Sequence, residues 1–105
     1  MIKNIRHTGI VVNDLKRCRQ FYEKLGFKLF KQEDESGEFI EKVTGIKNVR
    51  ISWVKMKTDN GDLIELIKYV SHPDQTERVR SVPNKSGCSH FAITTDNINE
   101  TCQTI

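Results

Sequence analysis

Long apolar runs are missing from this 105-residue chain: the strictly apolar stretches are only a few residues, where a bilayer-spanning helix needs about 20. No membrane span is expected. The amino-terminal MIKNIRHTG carries no apolar core of the kind that directs export, so no export segment is expected either. Cysteine is scarce and odd in number: Cys18, Cys88 and Cys102 are widely spaced and form no C-x-x-C pair. That spacing indicates neither a disulfide framework nor a zinc knuckle, and reduced thiols in the cytoplasm are expected. Basic charge is not concentrated into a block. The 17 basic and 14 acidic residues give a net charge of +3, scattered with neither a basic block nor an aromatic ladder, so no nucleic-acid partner is expected. Proline occurs twice, and both prolines lie in one stretch, Ser71 to Gly87.

What is present is the composition of a folded domain. Apolar residues make up 36% and charged residues 30% of the chain, unlike a disordered segment. A chain of this length forms one domain and buries only about 60–65% of its unfolded surface, so association with a partner is expected to support it.

The stretch HTGIVVNDLKRCRQFYEKLGF, from His7 to Phe27, organises the rest. Ile5 to Val12 is rich in β-branched residues, and alternation sets Ile5, His7, Gly9 and Val11 on one face: a strand. Asn13 and Asp14 offer side-chain oxygens to a following turn, and Leu15, Cys18, Phe21, Tyr22 and Leu25 recur at helical spacing until Gly26. Cys18 falls on the apolar stripe and reads as core. Phe27 to Gln32 then predicts a second strand, broken by Glu33, Asp34, Glu35, Ser36 and Gly37, and Glu38 to Gly45 a short helical turn. Asn48 to Lys57 and Leu63 to Val70 read as two strands of a hairpin around the turn Thr58-Asp59-Asn60-Gly61-Asp62. Ser71 to Gly87 reads as a long connector. Cys88 to Thr95 predicts another strand, Asp96 another N-cap, and Ile98, Cys102 and Ile105 another helix. HTGIVVNDL and HFAITTDNI thus form a weak repeat, offset by the 83 positions between His7 and His90.

Three residues stand out chemically. His7, Glu65 and His90 fall mid-strand on three separate predicted strands, each with small or apolar neighbours on its own face. A carboxylate between Leu63 and Ile67 is costly to desolvate unless a cation or donors meet it. Two imidazoles and a carboxylate oxygen suit zinc, nickel, cobalt, manganese or iron, and suit calcium or magnesium poorly. On pattern alone, a strand histidine reads more readily as a hydrogen-bonded core residue. His72, in the connector, is a weaker ligand candidate. Arg6, Arg50 and Arg80 could hold an anionic substrate tail, with surface solvation the plainer reading.

A histidine strand, then Asp-Leu, then a helix carrying Phe-Tyr and closing on Leu-Gly-Phe, resembles the first βαβββ module of the glyoxalase, bleomycin-resistance and dioxygenase superfamily. The resemblance rests on HTGIVV, FYEKLGF, GDLIELIKYV and GCSHFAI, covers nearly the whole chain, and is nearest to glyoxalase-like members. It implies an α+β fold in which residues 1–70 form a βαβββ module, 71–87 the connector and 88–105 the start of a second module. That second module is expected to stop after its first strand and helix, short of three further strands. The resemblance implies a divalent metal held by His7, Glu65 and His90, with Glu65 also a possible proton base. The fourth ligand of such sites, a Glu on the last strand that often moves the proton, is not in this sequence. It also implies a small-molecule substrate and a homodimer.

The activity so implied is that of a lactoylglutathione lyase-type lyase or isomerase, moving a proton next to a metal-chelated carbonyl. One alternative is a methylmalonyl-CoA epimerase-like enzyme, whose pattern tends to place an amide where Glu65 stands. Another is a metal-free ligand-binding protein of the bleomycin-resistance type, with Phe30, Phe39, Trp53 and Tyr69 lining an aromatic groove. An extradiol dioxygenase takes its acidic ligand from the final strand, and Glu65 speaks against it.

Overall fold

A computed structural model describes residues 1–76 and 82–105. The fold is α+β. Four strands, β1 (Thr8–Val11), β2 (Lys28–Ser36), β3 (Arg50–Lys57) and β4 (Leu63–Tyr69), form one sheet in the order β1-β4-β3-β2. Strands β1 and β4 run parallel, and the two pairs β2–β3 and β3–β4 run antiparallel. Three helices accompany them: α1 (Leu15–Lys24), α2 (Glu38–Thr44) and α3 (Ile98–Thr104).

Helix α1 starts where the sequence predicts. The Asp14 carboxylate accepts from the Arg17 backbone N–H at 3.0 Å, satisfying a donor that has no partner within the helix. Its apolar stripe lies on one face of the sheet. Phe27, Val54, Met56, Ile64 and Leu66 are buried there, with Ile10, Val12, Leu15, Cys18, Tyr22 and Leu25 packed against them. On the opposite face a second cluster of Ile40, Val49, Ile51 and Trp53 gathers Ile46, Ile67 and Tyr69. Ile40 belongs to α2, so this short helix covers part of the face that α1 leaves open.

The hairpin turn closes as its composition predicts. Gly61, at φ 90°, takes the left-handed conformation that a side chain would resist. The Thr58 N–H donates to the Asp62 carbonyl at 2.9 Å, and the Thr58 hydroxyl accepts from the Asp62 N–H at 3.1 Å.

Four expectations are corrected. Strand β1 begins at Thr8, not Ile5, because its ladder on β4 starts at Thr8 opposite Ile64, just after β4 emerges from its turn. His7 therefore stands at the entry to the strand instead of mid-strand. Strand β2 does not break at Glu33 but continues to Ser36, pairing Glu33 with Trp53, Asp34 with Ser52, Glu35 with Ile51 and Ser36 with Arg50. As an edge strand it tolerates a charged run that a central strand would not. Cys88 to Thr95, including His90, forms no strand among the described residues. Its β-branched side chains favour an extended chain, but a strand needs a hydrogen-bonded neighbour, and this segment is paired with neither edge of the sheet, β1 nor β2. Finally, the N-cap of α3 is Asn97 and not Asp96: the Asn97 side chain accepts from the Glu100 N–H at 3.1 Å.

Candidate functional site

The site follows from pleat alternation. Ile10, Ile64, Leu66, Val54 and Met56 face α1, so the residues between them face away. In β4 that parity belongs to Leu63, Glu65, Ile67 and Tyr69, and in β3 to Ile51, Trp53, Lys55 and Lys57. Gly9 stands directly across from Glu65 on the β1 side, and Lys55 directly across on the β3 side. Gly9 presents no side chain there, which leaves Glu65 flanked by His7 and Lys55.

These two groups close on the same oxygen. The His7 Nε2 lies 3.5 Å from Glu65 Oε2, and the Lys55 Nζ lies 3.7 Å from it. Glu65 is half-buried, with its side chain 14% exposed. A carboxylate so far withdrawn from water is stabilised only by partners, and here there are two: Lys55 by the β3–β4 register and His7 at the entry to β1. The Lys55 ammonium also sits over the Trp53 ring, 4.8 Å from its centroid. A one-residue bulge at Phe30 resets the pairing of β2, bringing Lys31 opposite Lys55 and onto this same face. Lys31 pairs with Glu33 at 3.4 Å.

Of the three residues expected to gather, two do. His7 and Glu65 meet, whereas His90 is exposed, with its Nδ1 3.0 Å from the Ser89 hydroxyl. Among the described residues no three His, Cys, Asp or Glu side chains converge in a way that could hold an ion. The pair itself suits one. Two ligands at about 2.0–2.2 Å from a tetrahedral ion lie roughly 3.4 Å apart, close to the 3.5 Å between His7 and Glu65. Donor chemistry and spacing thus fit half of a metal site, against the presence of the Lys55 ammonium.

The weaker candidates lie elsewhere. His72 is exposed and its Nδ1 is 2.7 Å from the Ser71 hydroxyl. Arg6 and Arg50 are exposed, and Arg80 lies outside the described residues. Trp53 and Tyr69 belong to the cluster under α2, while Phe30 and Phe39 are exposed, so these rings do not line a common groove. A cleft of about 980 Å³ opens beside His7, between residues 4–8, the β3–β4 turn and residues 91–96. Glu65 does not line it.

Lys55 is the site residue that sequence reasoning missed. The signal was its parity: it continues the face of Ile51 and Trp53, a basic residue at a position where apolar side chains precede it.

Comparison with known proteins agrees with this architecture. Residues 4–105 match the family described as Glyoxalase/Bleomycin resistance protein/Dioxygenase superfamily. The chain is similar to a glyoxalase family protein from Bacillus cereus whose crystal structure is known, at 24% identity and a TM-score of 0.89, covering 98% of this chain and 70% of that one. Likeness at that identity speaks for the fold. No curated protein matches.

Proposed function

Because the chain belongs to the Glyoxalase/Bleomycin resistance protein/Dioxygenase superfamily, we propose that it acts as a glyoxalase-type lyase or isomerase, moving a proton beside a carbonyl of a small-molecule substrate. The observation that supports this is the approach of His7 Nε2 to Glu65 Oε2, 3.5 Å apart on the sheet face away from α1. His7 and Glu65 would hold a divalent ion of the zinc, nickel, cobalt, manganese or iron type. Bound there, it supplies Lewis-acid polarisation of the substrate carbonyl. His90 is the proposed third ligand, and since it forms no cluster with His7 and Glu65 among the described residues, we take a second copy in a homodimer as its source.

The chain's own residues have separable tasks. His7 would offer its Nε2 lone pair to the ion and fix one side of the site. Glu65 serves as ligand and holds the transferred proton at a carboxylate oxygen. Trp53 and Ile67, beside it on the same face, limit water around that oxygen and so strengthen its electrostatics. The test is turnover of hemithioacetals and of acyl-CoA thioesters by the metal-loaded protein. We expect isomerisation of a hemithioacetal, reduced at least tenfold in E65Q; inactivity on both substrate classes despite stoichiometric metal would sink the proposal.

A second reading, a metal-free ligand-binding protein, has one observation in its favour: the Lys55 ammonium already provides Glu65 with a cation, at 3.7 Å. Elemental analysis of gently purified protein separates the two, since only the first expects stoichiometric metal.

A further inference from the structure

The face that carries His7 and Glu65 carries two opposed ammonium groups, and they are committed differently. Lys31 and Lys55 are direct neighbours across the β2–β3 ladder. Like charges so placed repel, and each finds its own acid. Lys31 turns to Glu33 at 3.4 Å, on the outer strand, where its side chain is 57% exposed. Lys55 turns inward to Glu65 at 3.7 Å, with its side chain only 19% exposed.

An unconstrained lysine on a sheet keeps its ammonium in water and buries only its stem. Lys55 instead lays the ammonium across Trp53 and against the very oxygen that faces His7. A divalent ion placed between His7 and Glu65 would lie within a few ångströms of that positive charge, in surroundings where screening by water is reduced. The two cations therefore exclude one another.

We infer that Lys55 is the resident counter-ion of Glu65 and competes with a divalent metal for that carboxylate, so that metal enters the site only as the ammonium withdraws. Lys55 is a positioning residue in this scheme. In the metal-free protein it keeps a half-buried carboxylate paired and oriented, which an isolated Glu65 would not be. The cost falls on metal affinity. The inference rests on reading His7 and Glu65 as half of a metal site, and its test tells the two apart.

Metal-free wild type, K55M, K55Q and K55R, the double variant K55M/E65Q, and H7A are each titrated with Co²⁺, followed by visible absorption and by calorimetry. K55M and K55Q should bind Co²⁺ at least tenfold more tightly than wild type. K55R, which retains the cation, should bind close to wild type, and K55M/E65Q should lose the gain. Either neutral variant suffices if the other fails to fold. Wild-type or weaker affinity in both, with binding abolished by H7A, overturns the role of Lys55 alone. Binding that H7A leaves untouched, or no binding by any variant, overturns the metal half-site and this inference with it.

Discussion

Tyr22 shows what burial does to one side chain on the α1 face. Its ring stacks edge-on against Phe27, with centroids 5.3 Å apart. Burial pushes its phenol above the ordinary value of 10.0, and the charge of a Cys18 thiolate adds to the rise. The folded state therefore holds the phenol proton more tightly than the unfolded chain does. Its contribution to stability is complete below pH 10 and is lost as pH climbs through the raised value. Urea unfolding at pH 9 and pH 11 should show wild type losing more stability across that interval than Y22F; parallel losses would contradict it. Residue chemistry was unevenly legible in the sequence. Glu65 could be singled out because it interrupts an apolar face, and Cys18 because helical spacing puts it on the buried stripe. Lys55 left only a weak signal, its parity with Ile51 and Trp53, because a lysine in a strand reads as solvated until the facing residue is known, and that depends on the register between β3 and β4.

Elements were legible where a pattern is local and opaque where it depends on a neighbour. Helix α1 announces itself through Asp14 and a stripe at spacings of three and four, and the β3–β4 hairpin through its five-residue turn. Strand β2 hides its last four residues, Glu33 to Ser36, in an acidic run that its edge position permits. Cys88 to Thr95 has the alternation of a strand, yet alternation makes a strand only where the segment docks on a neighbour, and here it pairs with neither edge of the sheet. The energetic centre of the sheet lies instead at Leu66 and Met56, both 0% exposed. L66A should cost about 2–5 kcal/mol, through lost burial and the cavity left behind, out of a total of roughly 5–15 for a domain. Chemical denaturation measures this directly, and a loss under about 1 kcal/mol would mean that Leu66 does not anchor the packing of α1 on the sheet.

At the scale of the whole molecule, the proposed ligands come from both ends of the chain, while among the described residues only His7 and Glu65 come together. Residues 88–105 are almost entirely exposed, with Phe91, Ile93, Ile98 and Ile105 among the exposed apolar side chains. A homodimer that places this segment over a second copy's sheet would reconcile the two facts, and complementation tests it. H7A and H90A should each bind no metal alone, but when unfolded and refolded together they should recover one site per mixed dimer. If both residues act within one chain, the mixture recovers nothing. The proposal that His7 and Glu65 share an ion meets its most direct test in paramagnetic broadening of backbone amide resonances by substoichiometric Mn²⁺. Signals of His7, Gly9, Lys55 and Glu65 should bleach first, and the bleaching should vanish in E65Q; broadening centred on His72, or spread evenly over the acidic surface, would contradict the account.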